Sequence, residues 1–339
     1  MNDYRHGNKP VDTIEATFAA IEEAGDPGIF ISLVDRDKAL AAARELGGRI
    51  DPTKPLYGVP FAVKDNIDVA GMPTTVGCPE YAYTPAKSAP VVDRLTEAGA
   101  ILVGKTNLDQ FATGLVGVRT PYPVPRNAVD PSLVPGGSSS GSAVATARGI
   151  VAFALGTDTA GSGRIPAGLN NIVGLKPSVG ALSTSGLVPA CRTLDCISVF
   201  ALGVDDAFAV FSIAAGYDPT DPYSRRMALG ALHRRAEKMK IGVPSKASRK
   251  FFGDRDMEAG FDTALGMLTS FGADIVEIDF TEFYATADLL YEGAWVAERY
   301  AAIRDFIEAQ PDSLHPVTRT IIEGATRLSA ADAFAGQYR

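Results

Sequence analysis

Short apolar runs recur along the chain, and each is followed by a polar turn or an amphipathic helix. FAV within YGVPFAVKDN (57–66), ILVGKT (101–106), residues 150–155, KIGVPS (240–245) and ADIVEIDF (273–280) read as strands. Between them, Val11, Ile14, Phe18 and Ile21 repeat at helical spacing and predict a helix over 11–24. Further helices are predicted over 35–47 up to Gly47-Gly48, over 89–99 with Gly99 as the stop, and over 142–148. Two more follow over 256–272, with Gly272 as C-cap, and over 283–309 before Pro311. Strand, turn and helix alternating in this way predict an α/β fold, a mixed β-sheet core sandwiched by α-helices. The stretch 114–141, crowded with Gly, Pro and Ser, is predicted as loop.

Composition removes several classes of function. No apolar run approaches the ~20 residues of a membrane span. The first residues, MNDYRHGNKPVDTIEATF, contain no apolar stretch of a secretory leader. The net charge of −8 argues against a nucleic-acid partner and against an anionic membrane. Cys78, Cys191 and Cys196 lack zinc-site spacing, so no metal is expected, and they read as free, buried thiols of a reducing compartment. His6 sits in a polar tail, His233 in the charged run HRR, and His315 before a proline. None adjoins a glycine-rich turn, so a Ser–His–Asp hydrolase is not expected.

Three segments carry chemistry. In VPFAVKDN, Lys64 follows an apolar strand. It either reaches out to water or is drawn inside, where desolvation lowers its pKa and makes it a base. PGGSSSGSA (135–143) puts serines and glycines where a helix begins, which suits a helix N-cap or an anion cradle. It lacks the GKS/T ending of a nucleotide loop. In LGTDTAGSGRIPAGLNNIVGLKP (155–177), Ser162 stands in a tight turn. The backbone N–H groups of Thr159, Ala160, Gly161 and Ser162 could converge on one point, an oxyanion hole if a substrate carbonyl sits there.

Together these segments resemble the amidase signature family. Its serine-rich pattern appears as Gly136-Gly137-Ser138-Ser139-Ser140-Gly141, and its nucleophile pattern as Gly156-Thr157-Asp158-Thr159-Ala160-Gly161-Ser162-Gly163-Arg164. Ser138 and Ser162 lie 24 residues apart and Lys64 lies 74 residues before Ser138, as in that family. The resemblance implies Ser162 as nucleophile, Ser138 on a cis peptide as proton relay, and Lys64 as terminal base. Asp158 and Arg164 would hold the turn. Many members carry glycine where this chain has Ala160.

Within the family, KDNIDVAGMPTT (64–75) and VPACRTLDCISVFA (188–201) resemble the allophanate hydrolases most. That likeness implies hydrolysis of allophanate, a small-molecule substrate of urea or s-triazine (cyanuric acid) degradation, without cofactor, in a cytoplasmic homodimer. Tyr291 and Arg299 would bind the substrate carboxylate. On the predicted helix 283–309 their spacing corresponds to about 80° of rotation and ~12 Å of rise, so both could reach one pocket. Another small-substrate amidase, of malonamate or aryl-acetamide type, and the A subunit of a tRNA-dependent amidotransferase are the rival readings. The chain reads as a single amidase domain, 1–339. Its ending at Arg339 without a stop signal suggests that the C-terminal part of the core and any decarboxylation domain are missing.

Overall fold

The structure, a computed structural model, describes residues 7–232 and 239–339; His6 and His233 lie outside these. The described residues fall into two compact units, one within 1–229 and 296–328 and one within 230–295 and 329–339.

The first unit is built on a six-stranded sheet. Its strands are β1 (Phe30–Leu33), β2 (Pro60–Lys64), β3 (Ile101–Thr106), β4 (Phe153–Asp158), β5 (Val173–Leu175) and β6 (Cys196–Ala201). They lie in the order β1-β3-β2-β4-β6-β5. β2 runs parallel to both β3 and β4, while β1 and β6 are antiparallel to their neighbours. The sheet is therefore mixed.

Two apolar layers cover it. Side chains alternate between faces along a strand. Accordingly Phe61, Val63, Phe153 and Leu155 enter one layer, and Ala62 and Ala154 the other. Helices α3 (Pro90–Glu97) and α6 (Val204–Ala214) bring Val91, Val92, Leu95 and Val210 to the first layer. Helices α1 (Pro10–Ala24), α2 (Arg36–Glu45) and α4 (Ser140–Ala147) bring Ile14, Phe18, Leu40 and Val144 to the second. The expected sandwich is thus present. The short helix α5 (Ile165–Leu169) follows β4.

The second unit has a parallel pair, β7 (Met239–Pro244) and β8 (Ala273–Ile278), joined through α7 (Arg255–Ser270). Helices α8 (Thr281–Asp288) and α11 (Ala330–Tyr338) also belong to it, whereas α9 (Val296–Ala309) and α10 (Pro316–Glu323) belong to the first unit. Among the described residues, no helix is long and apolar enough to cross a membrane.

Two expected elements are corrected. The strand predicted at 150–155 runs instead over Phe153–Asp158. Gly149 takes a left-handed conformation and the Ile150 amide returns to the Ala145 carbonyl, so 149–152 form a turn. The single helix predicted over 283–309 is two helices, α8 and α9. The first ends at Asp288 with Leu289 as its C-cap, the second starts at Val296, and 289–295 between them form turns, in which a Cβ on Gly293 would come within 2.6 Å of the Leu289 carbonyl oxygen.

The rings of Phe61 and Phe153 stack across β2 and β4 with centroids 5.2 Å apart, and neither is exposed by more than 2%. Phe61→Ala is expected to destabilise the protein by about 3–5 kcal/mol, read from chemical denaturation. A loss below about 1 kcal/mol would mean that the stack does not anchor the central strands.

Candidate active site

Because β2, β3 and β4 are parallel, their carboxyl ends share one edge of the sheet, where open α/β sheets form their ligand crevices. β6 runs the other way and pairs Cys196 with Asp158, so the segment leading into β6 reaches the same edge. Lys64 ends β2, Asp109 follows β3, Asp158 ends β4 and Asp195 precedes β6.

Lys64 is fully buried. Its Nζ donates to Ser138 Oγ at 2.6 Å and to Thr157 Oγ1 at 2.8 Å. Asn66 Nδ2 also donates to Thr157 Oγ1, at 3.2 Å. The peptide bond Gly137–Ser138 is cis. Burial pulls the Lys64 ammonium down to about 7. The charges of Asp109, Asp158 and Asp195 oppose this, and Arg299 adds to it. An amine poised there exists substantially in its neutral form at neutral pH and can accept a proton.

Ser162 is buried in the turn after β4. Asp158 organises that turn. Its carboxylate accepts the amides of Gly161 (2.8 Å) and Gly163 (3.1 Å), and Arg164 Nε and Nη2 at 2.9 Å each. Burial pushes the Asp158 carboxyl up, but Arg164 and the two amides hold it below the ordinary carboxylate value. Gly161 has φ +142, a conformation that side chains rarely adopt. One correction follows for the expected oxyanion hole. The Gly161 N–H is committed to Asp158, leaving the amides of Thr159, Ala160 and Ser162 from the expected set.

The Cys-Arg-Thr-Leu-Asp segment is tied to the same turn. Thr159 Oγ1 donates to Asp195 Oδ1 at 2.5 Å, and Asp195 also accepts the amides of Ala190 (2.9 Å) and Cys191 (3.2 Å). Burial raises the Asp195 carboxyl above its usual value against these donors and against Arg299. Cys78, Cys191 and Cys196 are buried and take part in no disulfide. Burial pushes the Cys191 thiol up to about 12, which makes it a poor nucleophile.

Arg299, on α9, is 2% exposed. Its Nη1 donates to Thr113 Oγ1 at 3.0 Å and to the Ala112 carbonyl at 3.4 Å. Those acceptors lie on a turn where Phe111 and Ala112 take φ values of +52 and +51, uncommon for residues with side chains. Arg299 therefore stands in the first unit, within electrostatic reach of Lys64 and Asp195. Tyr291 lies between α8 and α9, in the second unit. The shared helix expected to present both side chains does not exist.

A second buried lysine braces the site. Lys105 Nζ pairs with Asp65 Oδ1 at 2.9 Å, both side chains having no solvent exposure, and donates to Thr74 Oγ1 (2.7 Å) and the Pro73 carbonyl (3.0 Å). The other Asp65 oxygen accepts the amides of Thr75 (2.9 Å) and Val76 (3.2 Å). The segment 73–76 is thereby fastened to the ends of β2 and β3.

Comparison with known proteins sets this constellation in a family. The profile described as Amidase matches residues 12–335. The chain belongs to the amidase family. It is 49% identical over 314 residues to the urea amidolyase of Saccharomyces cerevisiae (strain ATCC 204508 / S288c), covering 91% of this chain and 17% of that protein. It is 45% identical over 332 residues to the urea amidolyase of Lachancea kluyveri, covering 97% of this chain and 18% of that protein. The solved allophanate hydrolase of Kluyveromyces lactis superposes with a TM-score of 0.92 at 43% identity, covering 99% of this chain and 56% of that one. The chain thus spans under a fifth of the length of the urea amidolyases and about half of the solved allophanate hydrolase.

At this candidate site, sequence reasoning missed Thr157, Asn66, Asp109 and the hydrogen bonds of Asp195. Thr157, Asn66 and Asp195 each lie inside a quoted motif, whereas Asp109 lies in none of them. The cost of burying Lys64 can be measured. The unfolded lysine keeps its proton up to about 10.5 and the folded one only up to about 7. Between these values the unfolded state binds more protons, so stability rises with pH there, and the full penalty applies below about 7. Lys64→Met is expected to have a higher thermal midpoint than the native protein at pH 7, with the difference shrinking toward pH 10. A pH-independent difference would show that Lys64 is not buried as a shifted amine.

Proposed function

We propose that this chain is an allophanate hydrolase domain, cleaving a C–N amide bond through Lys64, Ser138 and Ser162. The 2.6 Å contact between Lys64 Nζ and Ser138 Oγ, made by a lysine poised near neutrality, carries the catalytic part of this reading. The likeness to urea amidolyase and to a solved allophanate hydrolase supports the substrate.

In this reading Ser162 Oγ attacks the amide carbonyl. Its proton passes to Ser138 Oγ as the Ser138 proton passes to neutral Lys64. The developing oxyanion is met by the amides of Thr159, Ala160 and Ser162. Collapse of the tetrahedral adduct returns a proton to the leaving nitrogen and frees ammonia, leaving a carbamoyl-type acyl group on Ser162. Water enters by the same relay and releases N-carboxycarbamate. Loss of carbon dioxide from that product leads overall to two molecules of ammonia and two of carbon dioxide. Arg299 binds the substrate carboxylate. A buried guanidinium suits so small an anion, which has little apolar surface to contribute. Tyr291, expected beside Arg299, belongs to the second unit and is given no role in this reading. A cytoplasmic location accords with three buried thiols outside any disulfide.

Ammonia release from allophanate, malonamate and glutamine separates this reading from its rivals. Ser162→Ala is expected to abolish release, and Ser138→Ala and Lys64→Ala to lower it by orders of magnitude. Native-like turnover in Ser162→Ala would sink the assignment. The ratio kcat/KM should fall on the acid side of about pH 7, where Lys64 becomes protonated. Arg299→Ala should raise KM for allophanate more than it lowers kcat, and should affect a neutral amide such as biuret little. Equal losses on both substrates would make Arg299 a support of the fold.

A further inference from the structure

Asp109 is buried next to the serine-rich loop, and the sequence motifs assign it nothing. Its backbone N–H donates to the Ser138 carbonyl at 3.0 Å. Its carboxylate accepts the amides of Gly117 (3.0 Å) and Arg119 (2.9 Å). The loop so held returns the contact, because the Leu115 carbonyl accepts the Gly137 N–H at 2.9 Å. Gly137 itself lies flat on the carboxylate, and a Cβ there would stand 2.0 Å from Asp109 Oδ2. Both residues of the Gly137–Ser138 pair are therefore gripped by Asp109 or by the loop it organises.

We propose that Asp109 is the positioning residue of the relay: through its backbone N–H and the loop that its carboxylate organises, it sets Ser138 opposite Lys64. This rests on the reading of Lys64, Ser138 and Ser162 as a relay. The charged groups acting on Lys64 are Asp109, Asp158, Asp195 and Arg299. Asp158 is paired with the guanidinium of Arg164, whereas the hydrogen bonds described for the Asp109 and Asp195 carboxylates come from uncharged donors. Of these latter two, Asp109 alone also holds the Ser138 backbone.

The test uses a fluorophosphonate, a general probe of activated serines, so that it does not depend on the natural substrate. The Ser162 oxygen forms the P–O bond, fluoride leaves, and the serine proton enters the relay. Inactivation rates are followed across pH 5–9 for the native protein, Asp109→Asn and Asp109→Glu, with labelling mapped to Ser162. Asp109→Asn removes the charge at nearly constant size. Its plateau rate is expected to drop by about tenfold or more, and its acid limb to move to lower pH by roughly half a unit to one unit. Asp109→Glu keeps the charge but displaces it, so the limb stays and the rate falls. Native rate and limb in Asp109→Asn, with Ser162 labelled normally, overturn the proposal and leave the relay standing. If Asp109→Asn does not fold, a native rate in Asp109→Glu overturns it instead. Labelling that persists in Ser162→Ala removes the relay and this proposal together.

Discussion

An ammonium taken out of water at the end of a strand is costly, and the first unit is arranged around that cost. Lys64 has no solvent, yet its nitrogen has two hydroxyl acceptors, and three carboxylates act on it electrostatically. Burial outweighs these and leaves the amine near neutrality. Had the carboxylates been absent, burial would drive it further toward a weakly basic amine. Had water been present, it would remain a permanent cation.

Topology explains why these groups can converge from distant parts of the chain. Parallel pairing puts the ends of three strands at one edge, and the antiparallel β6 adds the start of a fourth. Each strand ends in a residue or turn that points chemistry at that edge: Lys64, Asp109, the Asp158–Ser162 turn and Asp195. The hydrogen bonds among them are mostly to backbone amides. Loops that would otherwise be pliant are thus held by buried carboxylates, two of them at Asp158 and Asp109.

Much of this was legible in the sequence, because it depended on local pattern. The mixed sheet and its flanking helices follow from local periodicity, whereas the cis bond before Ser138 and the bracing of the turn by Asp158 and Arg164 were expected from the resemblance to the amidase signature family. The remainder depended on pairing across the sheet. Thr159 meets Asp195 only because β4 and β6 run side by side, and Asp109 meets Gly137 only because β3 delivers it there. Strands β1, β5 and β6 were likewise not anticipated. β1 and β5 are short, four and three residues, and β6 is buried along its whole length, so it shows no polar alternation. The break between α8 and α9 leaves no local signal, because 289–295 carries no proline and Leu289, Leu290 and Trp295 continue the apolar pattern.

The Lys105–Asp65 pair has a consequence for how such a chain can change over generations. Either partner lost alone strands a full charge without water, which is severely destabilising, whereas an apolar pair of matching volume in both places can be nearly neutral. The two acceptable states are separated by single-step intermediates that fold poorly. Single-step drift away from the Lys105–Asp65 pair therefore passes through chains that fold poorly, whatever advantage the pair itself confers.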